Sequence, residues 1–450
     1  MLTLKKPLKP IVIYKNAWLL EAPALQLLAE EFGTPLFVFW EERLWQNVAE
    51  LKEGLGLLES NFRLFYACKA NANLSILRTL LEAGLDLEVN SVGELWKGLK
   101  AGYKPQQIIF NGVGKSEREL KEAILQGIHC INVDSLSELM DIVHIASRYR
   151  KDVPIALRLV PEIKDGGLEG LETGHSQTKF GLPPSQLPEI CKVLKDHPYV
   201  HLSGLHTHVG SQLSNPVSYR LALERLLGLR KELEKALKTE IKHLNLGGGL
   251  PVEYRHEAYP QKAPCPGPDK SFAQSFGPKE MALVLKDVVP QDIVLYFEPG
   301  RRLVGNTAFL LTRVVRKKTI SARTAPWLIL DAGFNVLLEA LSYRWYFHLI
   351  AAERPQAPHN TGYFVAGPLC DGGDIFPIPH TNCPFYHRLL PENVEEGELL
   401  AFLDTGAYTL EQMTYYNGRL PAAAVLIDRK GQIRLIRKRE TSQALWANDL

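Results

Sequence analysis

The sequence lacks long hydrophobic runs and a dominant charge of one sign. No stretch approaches the roughly 20 apolar residues of a membrane-spanning helix, and the four apolar residues 11–14 are too few for the hydrophobic part of a signal peptide. The net charge is only +2, which gives no basic surface field for nucleic acid or an anionic membrane. We therefore expect a cytoplasmic protein with no nucleic-acid or membrane partner.

The sequence also lacks a cysteine pattern. Its six cysteines form neither a CxxC pair nor a zinc-type spacing; they are Cys68, Cys130, Cys191, Cys265, Cys370 and Cys383. A disulfide framework and a zinc site both need a regular spacing. The sequence therefore predicts reduced thiols and no metal site.

What the chain does contain is a regular alternation of apolar strands and helices. Its 450 residues can hold two domains. Eight strand candidates lie at 62–67, 86–90, 107–111, 129–133, 154–160, 201–209, 242–247 and 293–298. Helical patterns lie between them, most clearly at 74–83, 116–126, 135–150 and 217–237. Eight strands that alternate with helices over about 250 residues are typical of a (β/α)8 barrel.

Beyond Val304 the pattern changes to short β-rich runs separated by Gly, Pro and Asn. They lie at 309–315, 327–331, 362–366, 399–403, 423–427 and 433–436. This spacing is typical of a mostly antiparallel β domain, which the N-terminal strand is expected to join. We predict an α/β protein with the barrel at 36–303 and the β domain at 1–35 and 304–450. An irregular insertion is predicted at 253–278.

One lysine stands near the start of the barrel pattern. The run FRLFYACKANAN predicts a buried strand that ends at Lys69. The carboxyl ends of barrel strands carry the chemistry in this architecture. Taken alone, Lys69 is more simply a solvated loop residue. Its functional interpretation, as a buried reactive amine, depends on the residues that follow later strands.

Three further groups follow the predicted barrel strands six to eight. They are His206, His208 and Ser211 in GLHTHVGSQ, Gly247, Gly248 and Gly249 in LNLGGGLP, and Glu298, Gly300 and Arg301 in YFEPGR. Each has a simpler explanation alone, because glycines form tight turns, a histidine packs in a core and a glutamate caps a helix. Together with Lys69 they match pyridoxal 5′-phosphate (PLP). The amine forms a Schiff base, glycine amides bind the phosphate, a flat ring stacks on the cofactor and a carboxylate faces the ring nitrogen.

Two segments of the β domain are also candidates. AGPLCDGGDIF contains Cys370, Asp371 and Asp374, and LDTGAYTLEQ contains Tyr408. A cysteine is more often a packed core residue. The Gly-Pro before Cys370 and the Asp-Gly-Gly-Asp after it favour a turn over a strand interior.

The ordered motifs resemble a known family over about 34–437. They are YACKAN, NSVGEL, TGHSQTKFG, HTHVGSQ, LNLGGG, EPGR, GPLCDGGD and DTGAY. They resemble the fold-type III PLP-dependent decarboxylases, the group of diaminopimelate decarboxylase and ornithine decarboxylase. The resemblance implies a lyase of amino acid metabolism with an alanine racemase-like barrel and a β domain. It also implies a homodimer in which the partner chain donates the cysteine loop to a shared active site.

The resemblance further implies a role for each candidate. Lys69 holds PLP, His208 stacks on its ring, Glu298 pairs with the protonated ring nitrogen, and Cys370 protonates the carbon that CO2 has left. Ser211, Gly247, Gly248, Gly249, Gly300 and Arg301 bind the phosphate, with Tyr408 also at the cofactor. A carboxylate at the ring nitrogen makes the ring a strong electron sink, so Glu298 favours decarboxylation over racemisation.

The substrate is predicted from departures from diaminopimelate decarboxylases. Those enzymes have an arginine that holds the distal carboxylate, whereas this chain has Glu339 there, with Tyr343 at the following tyrosine. An anion repels a carboxylate and attracts an ammonium. Asp371 resembles the aspartate that contacts the distal amine in ornithine decarboxylase. We therefore predict a basic diamino acid of the D-ornithine or D-lysine type, converted to a diamine and CO2.

Three alternatives remain open at this point. Meso-diaminopimelate, which would give L-lysine, is one, because Arg301 can reach a distal carboxylate. A larger conjugate from a siderophore or antibiotic pathway is the second, and a regulator without catalysis is the third. Glu88 is a further departure, because the family has an aspartate there, and it is expected to change the hydrogen bonding beside the cofactor.

Overall fold

The computed structural model describes residues 7–13, 17–163, 178–256, 268–321, 324–379 and 387–450. The chain forms two compact units. The β unit contains Met1–Leu44, Val252–Ala273 and Val304–Leu450, and the barrel unit contains Trp45–Pro251 and Gln274–Leu303. Within the described ranges, no helix is both long enough and apolar enough to cross a membrane.

The secondary structure is numbered in chain order. The strands are β1 (Ile11–Ile13), β2 (Ala17–Leu19), β3 (Leu36–Trp40), β4 (Phe62–Ala67), β5 (Asp86–Val89), β6 (Ile108–Phe110), β7 (Cys130–Val133), β8 (Val153–Arg158), β9 (Val200–His206), β10 (His243–Asn245), β11 (Val294–Phe297), β12 (Ala308–Lys318), β13 (Trp327–Leu330), β14 (Leu349–Ala351), β15 (Thr361–Ala366), β16 (His387–Leu390), β17 (Leu399–Phe402), β18 (Ala423–Ile427) and β19 (Ile433–Arg437). The helices are α1 (Ala22–Phe32), α2 (Glu41–Leu55), α3 (Leu74–Glu82), α4 (Val92–Ala101), α5 (Glu117–Gln126), α6 (Leu136–Tyr149), α7 (Leu187–Asp196), α8 (Val217–Leu237), α9 (Pro278–Leu285), α10 (Arg301–Val304) and α11 (Leu338–Ser342).

The barrel unit is a closed barrel of parallel strands that runs from β4 to β11 in sequence order. β11 pairs back with β4, with Leu295 opposite Phe62, and this pairing closes the barrel. Its eight strands coincide with the eight predicted segments to within a few residues. The predicted (β/α)8 barrel is confirmed. Strands of such a barrel are buried on both faces, which is why the segments are apolar runs.

Short polar residues begin the barrel helices. Asn73, Ser91, Ser116 and Ser135 precede α3, α4, α5 and α6, and each side chain accepts a hydrogen bond from a backbone amide of the first turn. These caps satisfy amides that the helix itself leaves without a partner. They therefore fix where each loop ends and the helix begins, on the side of the barrel where the polar residues follow the strands.

The β unit contains a sheet in which β16, β15, β13, β12, β3, β18 and β19 lie in that order, with β17 pairing with β12 and β14. The pairs β13–β15 and β18–β3 are parallel, and the other pairs are antiparallel. The predicted, mostly antiparallel β domain is therefore confirmed.

The observed division differs from the predicted boundaries in three places. β3 belongs to the sheet, between β12 and β18, although the barrel is predicted to begin at residue 36. Its sequence LFVFW is buried at every position, and a fully apolar run does not distinguish a barrel strand from a central sheet strand. Residues Val252–Ala273 group with the β unit. β1 and β2 pair with each other and pack into the core of the β unit instead of extending its sheet.

Candidate active site

Lys69 lies in a short 3-10 turn, Cys68–Ala70, directly after β4. The two neighbours of Lys69 are buried, but Lys69 itself is exposed, so the prediction of a buried amine is wrong. The turn leaves the lysine side chain accessible while its neighbours are buried, and Lys69 still lies close enough to influence the pKa values of Glu88 and His208. Gly300 packs against this turn, since a Cβ at Gly300 would lie 3.1 Å from the Cβ atoms of Ala67 and Ala70. Small side chains therefore allow the EPGR segment to approach the lysine turn.

Glu298 follows β11 and is 6% exposed. Its Oε1 accepts a hydrogen bond from Asn245 Nδ2 at 2.7 Å, and its Oε2 accepts one from Asn111 Nδ2 at 2.9 Å. His206 Nε2 lies 3.4 Å from Oε1. Burial disfavours the charged form, but His206 and the Asn111 amide outweigh burial and lower the pKa of Glu298 to about 2. Glu298 is therefore ionised at neutral pH.

The two asparagine amides donate to Glu298 at any pH. His206 contributes less, because burial also lowers the pKa of His206 and so favours its neutral form. Both amides are held in one orientation. Asn245 Oδ1 accepts a hydrogen bond from the Gly247 amide at 2.9 Å, and Asn111 Oδ1 accepts one from Asn132 Nδ2. These asparagines were not predicted from the sequence. The available signal was their position, because each lies in a barrel strand or directly after one.

Glu88 in β5 is fully buried, and among the described residues neither carboxyl oxygen has a partner in good hydrogen-bond geometry, although the Asn111 side chain is close enough to favour its ionised form. Burial and the charge of Glu298 raise the pKa of Glu88 to about 8, although Lys69 opposes the shift. At neutral pH Glu298 is therefore ionised and Glu88 is protonated, and the two carboxyl groups interact electrostatically.

His208 is half-buried in the loop after β9. Its Nδ1 accepts a hydrogen bond from the Gly248 amide at 3.2 Å. Burial and the positive charges of Lys69 and Arg158 lower the pKa of His208 well below its usual value, so its ring is neutral. Because the Gly247 amide donates to Asn245, two of the three glycine amides bind protein side chains instead of facing an anion as predicted.

Close packing explains why this triplet consists of glycines. A Cβ at Gly248 would lie 2.3 Å from the carbonyl oxygen of Glu298, and one at Gly249 would lie 2.5 Å from that of Gly210. The φ angles of Gly247 and Gly249 are +69° and +114°. Only glycine tolerates both conditions, so the triplet lets the loop after β10 pass close to the loops after β9 and β11.

The remaining predicted barrel residues lie in the same loops. Ser211 is half-buried in the loop after β9. Arg301 begins α10 and is 4% exposed. Residues 173–177 of the TGHSQTKFG motif, together with Cys265 and Cys383, lie outside the described residues.

A buried ionic network near the ends of β6, β7 and β8 was also missed from the sequence. Lys115 Nζ lies 2.9 Å from Glu138 Oε1, and Arg158 Nη1 lies 3.4 Å from Asp134 Oδ1. Burial raises the pKa of Glu138 to about 7 in spite of Lys115. Arg158 is close enough to lower the pKa of His208, so this network contributes to the electrostatics of the site. Charged residues directly after apolar strands were the signal that could have revealed it.

In the β unit, Cys370 and Asp371 lie in an exposed turn. The Cys370 amide donates to Asn417 Oδ1 at 2.7 Å. Asp371 Oδ1 accepts from the Gly373 amide at 2.8 Å, and its Oδ2 accepts from the Tyr416 hydroxyl at 3.2 Å. The turn therefore presents an accessible thiol beside an oriented carboxylate. Asn417 and Tyr416 were missed because they are distant in the sequence.

Asp374 holds the base of this turn. It is 2% exposed, and its two carboxyl oxygens accept hydrogen bonds from the Phe334 and Leu369 amides, each at 2.8 Å. Phe334 in turn stacks against Tyr416, with ring centres 5.6 Å apart. Asp374 thus ties the DAGFN segment to the cysteine turn, and it is a positioning residue for Cys370 and Asp371.

The other predicted residues of the β unit differ in exposure. Tyr408 is half-buried and has a φ of +55°. Glu339 in α11 is 2% exposed, whereas Tyr343 is 42% exposed.

The barrel residues fit PLP by the chemistry of their side chains. An ionised carboxylate with two fixed amide donors suits a protonated ring nitrogen, and a neutral imidazole offers a flat face for stacking. An exposed lysine at the end of a barrel strand is accessible to an aldehyde.

Comparison with known proteins supports this fit. The family model of the pyridoxal-dependent decarboxylases, pyridoxal binding domain, matches residues 43–305. The diaminopimelate decarboxylase of Methanothermobacter thermautotrophicus is 34% identical over 92% of this chain and 91% of its own length. The crystal structure of diaminopimelate decarboxylase from M. jannaschii, in co-complex with L-lysine, has a TM-score of 0.82 at 31% identity and covers 99% of this chain and 98% of that one.

A more distant structure shares the fold alone. The lysine/ornithine decarboxylase of Vibrio vulnificus, complexed with putrescine, has a TM-score of 0.74 at 22% identity and covers 91% of this chain and 98% of that one. The family match contains Lys69, His208, the glycine triplet and Glu298. The chain therefore belongs to the fold-type III pyridoxal-dependent decarboxylases, and it is a PLP-dependent amino acid decarboxylase.

Proposed function

We propose that the reaction takes place at the carboxyl ends of the barrel strands, around Lys69 and Glu298. PLP, when bound, accepts the electron pair released as the bond between Cα and the carboxylate breaks. Lys69 supplies the amine that binds the aldehyde of PLP. Glu298 keeps a proton on the ring nitrogen, because its carboxylate is ionised and held by two asparagine amides. This doubly hydrogen-bonded carboxylate is the observation that carries the proposal.

The other residues orient the cofactor and deliver the final proton. The neutral ring of His208 stacks on the pyridine face. The phosphate is bound by Ser211, Gly249, Gly300 and Arg301, with Tyr408 also at the cofactor, while the Gly247 and Gly248 amides hold the side chains of Asn245 and His208. The exposed thiol of Cys370 donates the proton that replaces CO2 on the substrate carbon.

For the substrate, the relatives favour meso-diaminopimelate over the basic diamino acids predicted from the sequence. The M. thermautotrophicus relative named above is a diaminopimelate decarboxylase that aligns over nearly the whole chain. The M. jannaschii structure contains L-lysine, which is what meso-diaminopimelate becomes when it loses one carboxyl group. We therefore propose meso-diaminopimelate as the first candidate substrate.

A basic diamino acid of the D-ornithine or D-lysine type is the second candidate, and the acidic residues of the β unit favour it. Glu339 is an acidic residue, buried in α11, at the position where diaminopimelate decarboxylases have the arginine that holds the distal carboxylate. Asp371 is oriented by Gly373 and Tyr416 and is accessible to an ammonium group. Neither carboxylate would attract the distal carboxylate that distinguishes diaminopimelate from lysine.

A CO2-release assay separates these candidates. The wild-type protein is compared on meso-diaminopimelate, D-lysine and D-ornithine, and the highest kcat/KM identifies the substrate. Under the second candidate, Glu339→Gln lowers kcat/KM for D-lysine, whereas the exposed control Glu392→Gln does not. Turnover of none of these amino acids would contradict both candidates and favour a larger conjugate. A protein that also fails to bind PLP would favour the regulator without catalysis.

We also propose a homodimer whose partner chain supplies the cysteine turn. We expect Lys69→Ala to be inactive alone and Cys370→Ala to keep at most about one hundredth of the wild-type activity. If sites are shared, mixed dimers contain one intact site, and a random mixture recovers about one quarter of wild-type activity. A mixture as inactive as its components would contradict shared sites.

A further inference from the structure

The DTGAY segment, residues 404–408, has an unusual backbone that other parts of the β unit must hold in place. Asp404 and Tyr408 have φ angles of +57° and +55°, in the left-handed region that residues other than glycine rarely adopt. The Thr405 amide donates to the carbonyl of Ala308 at 2.9 Å. This hydrogen bond holds the backbone at Thr405, but it does not hold the side chain of Asp404.

His256 holds that side chain. Its Nε2 lies 2.6 Å from Asp404 Oδ2, and the two side chains are 6% and 5% exposed. Burial alone would lower the pKa of His256. The charge and hydrogen bond of Asp404, together with the charge of Glu253, outweigh burial and raise it. Burial in a site with little water makes the pair a strong and directional contact.

On another side, His256 packs against His348, with ring centres 5.2 Å apart. The Tyr346 hydroxyl lies 2.7 Å from His348 Nδ1, and the Arg388 guanidinium lies 4.8 Å from the centre of the Tyr346 ring. Burial and the charges of His256 and Arg388 lower the pKa of His348, so that ring is neutral. Among the described residues, Asp404, Glu253 and His348 are titratable groups that face His256, and the geometry favours a proton shared with Asp404.

We propose that His256 is a positioning residue that clamps Asp404 and thereby sets the place of Tyr408 for cofactor binding. The inference rests on the proposed role of Tyr408 at the cofactor. The Thr409 hydroxyl donates to the Thr405 carbonyl at 2.7 Å, so the residues that follow Asp404 and Tyr408 are hydrogen-bonded to each other, and a shift of Asp404 is expected to move Tyr408. Loss of the clamp therefore weakens PLP binding without removing any group that touches the cofactor.

A double-mutant cycle on PLP affinity tests this inference. The variants are His256→Gln, Tyr408→Phe and the double variant, and PLP titration of each apoprotein gives a dissociation constant. We expect each single variant to bind PLP on the order of tenfold more weakly, and the double variant to be no weaker than the weaker single one. His359→Gln is the matched control, since His359 is a buried histidine of the same unit that bonds the Ala351 amide at 3.1 Å. This control keeps wild-type affinity.

Each outcome decides the inference. Unchanged PLP affinity in His256→Gln overturns the inference. A double variant whose loss of affinity equals the sum of the two single losses also overturns it, because the effects of a general loss of stability would add. If Tyr408→Phe alone leaves the affinity unchanged, both the clamp and the proposed role of Tyr408 fail, whereas the role of Lys69 is unaffected. Far-UV circular dichroism checks that each variant folds. If His256→Gln does not fold, Asp404→Asn takes its place in the same cycle, with the same two outcomes.

Discussion

Replacing Glu298 by glutamine removes one charge and almost no volume from the barrel unit. The carboxylate accepts hydrogen bonds from Asn245 and Asn111, but a glutamine has only one acceptor oxygen. One asparagine amide would then face the NH2 group of the glutamine. Neither asparagine can turn to compensate, because both carbonyl oxygens already accept hydrogen bonds, from Gly247 and Asn132.

The size of the expected loss in stability follows from these contacts. One buried donor left without an acceptor costs about 1–3 kcal/mol, which is the expected loss in the free energy of unfolding of the apoprotein. The effect on the reaction is larger, because the negative charge that keeps the ring nitrogen of PLP protonated is gone. We expect kcat to fall by about 10²–10³-fold, the usual size for losing one preorganised electrostatic contact.

Two assays measure these effects. Urea unfolding of the apoprotein gives the stability, and CO2 release at saturating substrate and saturating PLP gives kcat. Glu117→Gln, on the exposed start of α5, is the control for removing a carboxylate from the barrel unit, and it should match the wild type. A Glu298→Gln variant that binds PLP and turns over at the wild-type rate would refute the role given to this carboxylate.

The remaining predictions concern Cys370 and Glu88. Cys370→Ala should keep the visible absorbance of bound PLP and form the amine product about 10²–10⁴-fold more slowly; undiminished amine formation would exclude the thiol as proton donor. For Glu88, the pKa is raised from 4.5 to about 8 on folding, so the folded protein binds a proton that the unfolded chain has lost, and stability falls as the pH rises between these values. Glu88→Gln has no carboxyl group to ionise and lacks this dependence. Between pH 5 and pH 8 the free energy of unfolding in urea should therefore fall by on the order of 3 kcal/mol more in the wild type than in the variant. Equal losses in both proteins would show that Glu88 ionises normally.

Most of the barrel was predictable from the sequence because its strands and helices are marked locally. Each strand is an apolar run of the right length, and a capping residue such as Ser116 begins the following helix. The assignment of β3 failed because its pattern shows burial and not the identity of its neighbours. β14 was missed because it has only three residues, Leu349–Ala351, too few to show a period.

The site was predicted less completely, because sequence identifies chemistry and not contacts. Lys69 and Glu298 stood out by residue type at the end of a strand. The partners of Glu298 did not, because an asparagine after a strand is also the ordinary sign of a turn. The contact between Cys370 and Asn417 joins residues 47 positions apart, and such a pair leaves no local pattern.

The central claim is that the amine of Lys69 binds PLP, and one measurement tests it most directly. The protein loaded with PLP is reduced with borohydride, digested with trypsin and analysed by mass spectrometry. We predict that the pyridoxyl group lies on Lys69, and that Lys69→Ala shows none at any position. A pyridoxyl group on another lysine of the wild-type protein would contradict the account.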